Sequence, residues 1–124
     1  MTLFEFSDFL DLADQLSAHS DEAAWRSAVS RAYYAILHVA YEALPVPMRL
    51  SISHGAIHRQ TWQAYSASSV IACRRVGQTG WRLRTARVDA DYRSIVAVTQ
   101  AQSQRSLADA RRALELLKQY GYQT

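Results

Sequence analysis

The stretch Ser30-Arg31-Ala32-Tyr33-Tyr34-Ala35-Ile36-Leu37-His38 decides the fold, because its apolar side chains recur at helical spacing. The helix containing it is predicted to begin after Ser20, whose hydroxyl can cap free backbone N–H groups, and to end at Leu44. Pro45 and Pro47 follow directly and cannot continue a helix. The side predicted to be buried carries Val29, Ala32, Tyr33, Ile36 and Ala40. The other side carries Ser27, Arg31, Tyr34, His38 and Glu42, and it forms either a solvated surface or one wall of a groove.

The same periodicity, read outward in both directions, predicts the remaining helices. The first helix is expected from about Leu3 to Ser17, with a capping box between Thr2 and Glu5. After a loop, the helical segments are expected over 54–65, 66–76, 81–90 and 95–120, with a turn at Gly77–Gly80 and a stop at Gly121. Helices joined by short connections favour an all-α, antiparallel up-down bundle of four to five helices in one domain, residues 1–124.

Composition restricts the class of protein further. Two prolines and four glycines in 124 residues favour long helices over a sheet, and 49% hydrophobic residues are enough for a packed core. No apolar run is long enough to span a membrane, and the N-terminal residues lack the basic start of a signal peptide. The single cysteine, Cys73, has no internal disulfide partner. These features predict a cytoplasmic protein that does not interact with a membrane.

Charge is divided unevenly along the chain. Residues 1–42 carry a balance of −5, residues 43–88 carry +7 without a single acid, and residues 89–124 carry +1. Thirteen of the fourteen basic residues are arginines, whose planar fork suits phosphate and carboxylate groups. The middle third is therefore either an anion-binding region or a surface that contacts the acidic first helix or a partner protein.

Three short motifs occur in order along the chain. They are Ser30-Arg31-Ala32-Tyr33-Tyr34-Ala35 with His38, then Ser53-His54-Gly55-Ala56-Ile57, then Arg87-Val88-Asp89-Ala90-Asp91-Tyr92. Together they resemble the HEPN family, in the branch with an "RxxADY" element before the last helix. The resemblance implies a helical bundle that forms homodimers and acts on or near RNA or nucleotides. Many members are toxins of toxin–antitoxin modules and are paired with a small nucleotidyltransferase.

The resemblance also implies candidate site residues. Arg87, Asp91 and Tyr92 take the catalytic positions of the third motif. The ribonuclease members carry a histidine four to six residues after the arginine, and this chain departs from that pattern because no histidine follows His58. Metal-independent ribonuclease activity therefore lacks its usual proton-transferring group. The nucleic-acid-binding candidates are Arg31, His38, His54, Arg82 and Arg84.

A purely structural interpretation of the third motif stays open. Arg87 and Asp91 are four residues apart and can form an ion pair on one helix face, with Tyr92 packed on Tyr33 or Tyr34. No metal site or cofactor is predicted, since His54 and His58 lack a third ligand nearby in sequence.

Two functions follow from the sequence. The first is an RNA- or nucleotide-binding component of a toxin–antitoxin or defence system. The second is a non-catalytic dimerisation module that partners a nucleotidyltransferase. The first requires the helix of Arg31 and the segment of Arg87 to lie side by side, so that both guanidinium groups face one cleft.

Overall fold

The computed structural model describes residues 3–124, so the predicted cap at Thr2 lies outside the described residues. This part of the chain contains six α-helices and no strand. The helices are α1 (Phe9–Ser17), α2 (Glu22–Glu42), α3 (Val46–Ser51), α4 (Ile57–Ser66), α5 (Ile71–Tyr92) and α6 (Gln100–Tyr120). Two 3₁₀ turns, Phe6–Asp8 and His54–Ala56, precede α1 and α4. The all-helical class is confirmed, although the described residues form six α-helices and not the four to five that the sequence predicts.

Helix α2 is the centre of the bundle and packs against α1, α5 and α6. The apolar side predicted for it is buried throughout. Its N-cap is Asp21 and not Ser20, because the Asp21 carboxylate accepts a hydrogen bond from the Ala24 backbone N–H at 2.8 Å. The largest side chains buried against α2 are Trp62 and Tyr65 of α4.

The predicted turn at Gly77–Gly80 is wrong, because α5 runs through both glycines without interruption. A side chain at either position would collide with α4. A Cβ atom at Gly80 would lie 2.6 Å from Trp62 Cε2, and one at Gly77 would lie 2.6 Å from the Ser66 backbone nitrogen. The glycines therefore allow α4 and α5 to approach closely, and α5 replaces two of the predicted helical segments.

Three further boundaries differ from the prediction. The segment expected as a loop after Pro45 contains α3, with prolines in its first turn where no N–H is needed. The last helix begins at Gln100 and not near Ile95, since Thr99 and Gln102 form a capping box there. The first α-helix begins at Phe9, after a 3₁₀ turn. None of the helices within residues 3–124 combines the length and apolar character needed to cross a bilayer.

Candidate nucleic-acid interface

Arg87 lies at the contact between α5 and α2. It is 8% exposed, and its guanidinium carbon lies over the rings of Tyr33, Tyr34 and Tyr92 at 5.5, 5.4 and 5.6 Å. The separation of Arg87 Nη1 and Asp91 Oδ2 is 3.7 Å, which is an ion pair but not a close hydrogen bond. Its Nε atom is buried and has no hydrogen-bond partner among the described residues. The hydrogen-bonding capacity of Arg87 is thus only partly used within the described residues.

Asp91 and Tyr92 occupy different environments. Asp91 accepts a hydrogen bond from Ser30 Oγ at 3.1 Å, so the carboxylate links α5 to α2. Tyr92 is 73% exposed, and no aromatic contact within residues 3–124 joins it to Tyr33 or Tyr34. The expected packing of Tyr92 on those tyrosines is wrong, because the guanidinium of Arg87 takes that contact instead.

A chain of hydrogen bonds leads from the core to His58 on α4. Trp62 Nε1 donates to Tyr33 Oη at 3.1 Å, and Tyr33 Oη lies 2.6 Å from His58 Nδ1. Because the tyrosine oxygen already accepts a hydrogen bond from Trp62, its own O–H is free to donate a hydrogen bond to His58 Nδ1. The neutral His58 ring then carries its proton on Nε2, the nitrogen that points away from Tyr33.

Burial and the neighbouring cations determine the charge states in this part of the bundle. Burial raises the pKa of Tyr33 to about 12, so the phenol stays protonated. Burial also lowers the pKa of His58, and Arg87 and Arg84 lower it further by electrostatic repulsion. His58 is therefore a neutral hydrogen-bonding group at neutral pH.

Arg84 lies one turn before Arg87 on α5. Its guanidinium carbon lies 5.6 Å from the Trp81 ring centroid, and its buried Nε has no hydrogen-bond partner among the described residues. No acid within residues 3–124 forms an ion pair with it. We refer to Tyr33, Tyr34, His58, Arg84 and Arg87 together as the aromatic–arginine cluster.

Arg31 and His38 border the cluster on α2. The guanidinium of Arg31 lies 5.5 Å from the centroid of the Tyr34 ring and 5.0 Å from that of Phe9. Arg31 and Arg87 therefore contact the same tyrosine ring, and the helices that carry them pack side by side, as the sequence predicts. His38 stacks on Phe6 with a centroid separation of 3.9 Å, and burial lowers its pKa.

Two of the predicted nucleic-acid-binding residues lie elsewhere. Arg82 faces α6, where its Nη2 atom lies 3.9 Å from Asp109 Oδ2. His54 is exposed in the 3₁₀ turn before α4, and no hydrogen bond or aromatic contact within the described residues joins it to the cluster. Neither residue is part of the aromatic–arginine cluster.

The charge division of the sequence persists in the fold. Among residues 3–124, no ion pair joins an acid of the 1–42 block to an arginine of the 43–88 block. The α1 carboxylate that does form an ion pair, Asp14, lies 3.7 Å from Arg111 of α6. The arginine-rich third is thus not neutralised by the acidic first helix.

Sequence reasoning did not assign His58 to the cluster. Its sequence neighbourhood suggested only a histidine pair with His54 on one helix face. The feature of the sequence that could have indicated it is Tyr33, which is predicted to be buried on α2. A buried phenol needs a hydrogen-bond partner, and α4 has few polar side chains that could reach it.

The fold and the cluster define a small helical bundle with a partly buried group of arginines and aromatic rings at one helix contact. Comparison of the chain with models of protein families, with curated proteins and with solved structures finds no match. The function is therefore argued from the cluster itself.

Proposed function

We propose that this protein binds RNA or a nucleotide at the aromatic–arginine cluster, as a HEPN-like component of a toxin–antitoxin or defence system in the cytoplasm. One observation carries the proposal. Arg84 and Arg87 project from successive turns of α5, and each has a buried Nε atom without a hydrogen-bond partner in the described residues. Two such guanidinium groups suit a phosphate, which accepts several charge-assisted hydrogen bonds at once.

The local charge balance favours an anion. Arg31, Arg84 and Arg87 provide three fixed positive charges. One of the three, Arg87, forms an ion pair with Asp91. The Asp91 carboxylate also accepts a hydrogen bond from Ser30, so one negative charge is held in place and a net positive charge is left. A phosphate group would offset part of this positive charge.

The aromatic part of the cluster favours a nucleic acid over a simple anion. The ring of Tyr34 is partly exposed and already contacts two guanidinium groups. The ring of Tyr92 is 73% exposed beside Arg87. Exposed aromatic rings next to arginines are the usual platform for unpaired bases in single-stranded RNA.

We propose binding without a defined reaction. Asp91 is held by Ser30 and Arg87, and Tyr92 has no hydrogen-bond partner within residues 3–124 that would activate its hydroxyl. The residues of the third motif thus hold the end of α5 in place, and Arg87 also faces the site.

A homodimer, or a complex with a nucleotidyltransferase, is a second proposal. It is supported by exposed apolar side chains at the end of α5 and beyond it, where Ile95 is 95% exposed and Tyr92 is 73% exposed. Large apolar groups in solvent favour a protein contact at this end of the bundle. Such a contact would cover Tyr92, so at that ring it is an alternative to base stacking.

The proposal is tested by fluorescence anisotropy with a labelled single-stranded RNA. We expect Arg84→Gln and Arg31→Gln each to weaken binding by about tenfold and to lower the dependence of affinity on salt by about one charge. The matched control is Arg112→Gln, which removes an arginine that is 71% exposed on α6. Equal affinities of the Arg84 and Arg112 variants, or binding insensitive to salt, would refute the proposal.

A further inference from the structure

His58 is half-buried beside Tyr33 and Tyr34 of α2. One of its ring nitrogens is hydrogen-bonded and the other is available. Its ring lies parallel to that of Tyr33 at a centroid separation of 5.6 Å and edge-on to Tyr34 at 5.8 Å. The bond from Nδ1 to Tyr33 Oη fixes the ring orientation. Nε2 is therefore the nitrogen that a bound molecule can contact.

We infer that His58 is a ligand-contacting residue of the aromatic–arginine cluster and that it takes up a proton when RNA binds, so that binding strengthens as the pH falls. This inference rests on the proposed RNA binding and names a residue that the sequence motifs do not assign. Its basis is the position of His58 beside two arginines whose charges a phosphate would offset.

The charged and titratable groups around His58 come from each element packed against it. Helix α2 contributes Tyr33, Tyr34 and His38, and helix α5 contributes Arg84, Arg87 and, behind Arg87, Asp91. Its own helix contributes the exposed Arg59. Positive charge dominates this environment, so the free protein disfavours a third cation at His58.

A phosphate reverses that balance. Its negative charge offsets Arg84 and Arg87, and an imidazolium next to it gains the attraction that the free site lacks. The bond to Tyr33 survives protonation because its direction can reverse. The charged ring donates from Nδ1, and the tyrosine oxygen has two lone pairs with which to accept from both His58 and Trp62. Nε2–H then donates to the phosphate.

The linkage fixes the sign of the pH effect. Burial and the two arginines hold the pKa of free His58 below its ordinary value of 6.5, and a bound phosphate raises it. Between the free and the bound pKa, binding takes up a proton, so affinity increases as the pH falls through that interval.

Oligouridylate without a terminal phosphate is the probe, since neither uracil nor an internal phosphodiester changes charge near neutral pH. We expect the affinity of the wild-type protein to rise about tenfold between about pH 8 and pH 5.5, a change that corresponds to about one pKa unit of coupling. The variant His58→Asn keeps an oxygen near the position of Nδ1 but cannot take up a proton. Its affinity is expected to change less than about twofold over the same range.

Titration calorimetry in two buffers with different heats of ionisation measures the number of protons taken up on RNA binding. We expect uptake by the wild type and none by His58→Asn or by a second neutral variant, His58→Gln. The matched control is His54→Gln, which changes an exposed histidine one turn earlier and should keep the wild-type response.

The outcomes separate this inference from the function on which it rests. Binding that is independent of pH, or a pH response that disappears in His38→Gln and persists in His58→Asn, overturns the role of His58 and leaves the RNA site standing. Absence of RNA binding by the folded wild type in the anisotropy assay overturns both. Circular dichroism of each variant establishes that the bundle is intact before binding is compared.

Discussion

Arg87 forms the ion pair that the structural interpretation of the third motif predicts, and its contacts are compatible with the anion-binding role that we propose. It pairs with Asp91 on its own helix, yet at 3.7 Å the pair leaves hydrogen-bonding capacity unused, and the rings of Tyr33, Tyr34 and Tyr92 contact the guanidinium plane. Cation–π contacts hold an arginine in position without occupying its N–H donors. An arginine that is fixed in this way is already ordered when a phosphate arrives, so binding loses less side-chain entropy.

The stability of the protein should fall in mild acid because of His58. Burial, followed by Arg87 and Arg84, lowers the pKa of His58 in the folded protein below 6.5, its ordinary value in an unfolded chain. The unfolded chain therefore takes up a proton first, so the full stability is present above about pH 6.5 and is lost as the pH falls through the lowered pKa. Urea unfolding between about pH 8 and pH 5 measures the slope, in a range that excludes most carboxylate titration.

Replacing the histidine tests the source of that slope. The variant His58→Asn should reduce the loss of stability with falling pH, and the remainder should belong to His38, whose pKa is lowered by burial. The control His54→Gln changes an exposed side chain and should keep the wild-type slope. A slope unchanged in His58→Asn would contradict the assignment.

At the level of elements, α5 shows why glycines misled the sequence reading. The sequence Gly77-Gln78-Thr79-Gly80 is typical of a turn, because glycine in the interior of a helix costs about 1 kcal/mol relative to alanine. In this bundle the cost is offset by contact, since α4 brings Trp62 and Ser66 against the bare backbone. Helix propensity is judged from a short stretch of sequence. Such a stretch does not show that another helix packs against the glycines.

The substitution Gly80→Ala should destabilise the protein although alanine is the better helix former. Its Cβ would lie 2.6 Å from Trp62 Cε2 in a fully buried contact. We expect an overpacking cost of about 1–3 kcal/mol in the free energy of unfolding, larger than the propensity gain. The matched control is Gly55→Ala, where a Cβ would meet nothing within 4 Å. Equal stability of the two variants would mean that α4 and α5 do not pack so closely.

The sequence predicted the central parts of the bundle well and its connections poorly. The buried side of α2 is confirmed, because a 3.6-residue apolar period survives any arrangement of neighbours. The side-by-side packing of the helices that carry Arg31 and Arg87 was also expected. The place of His58 was not, since it depends on how α4 crosses α2.

The connection between α5 and α6 depends on Arg26, which no motif or apolar period in the sequence distinguishes. Arg26 Nη1 donates to the carbonyl oxygens of Asp89, Ala90 and Arg93 at 3.1, 3.0 and 3.3 Å, and Nη2 donates to that of Val96. Its Nε donates to Glu22 at 2.8 Å. One guanidinium group thus satisfies the free carbonyls at the end of α5 and attaches the following segment to α2.

The substitution Arg26→Lys should loosen this connection, because one ammonium group cannot reach four carbonyl oxygens with the geometry of a guanidinium fork. We expect a loss of about 1–3 kcal/mol of stability and faster amide exchange across residues 93–98. The matched control is Arg93→Lys, since the side chain of Arg93 is 62% exposed and pairs with Asp89 at 3.5 Å. Unchanged exchange across residues 93–98 in Arg26→Lys would show that other contacts hold the segment.

At the scale of the whole molecule, positive and negative charge remain apart. Helix α1 packs against α2 and α6. Asp11 of α1 and Asp8 of the preceding 3₁₀ turn are both exposed. The arginines of the aromatic–arginine cluster face α2 and α4. A charge separation that folding does not neutralise is available to a second molecule, whether an RNA strand or another copy of the chain.

The predicted homodimer is testable through this separation. If acidic α1 of one copy meets the arginine-rich surface of another, association should be strong at low salt and weaken as salt screens the charges. Sedimentation equilibrium should then give a mass above 14.0 kDa at low salt that falls toward it at high salt. The double substitution Asp8→Asn with Asp11→Asn should weaken association, whereas the control Glu115→Gln, an exposed acid on α6, should not. A mass that does not change with salt would exclude the charge-based dimer, and a constant mass of two chains would instead assign the contact to the exposed apolar residues around Ile95.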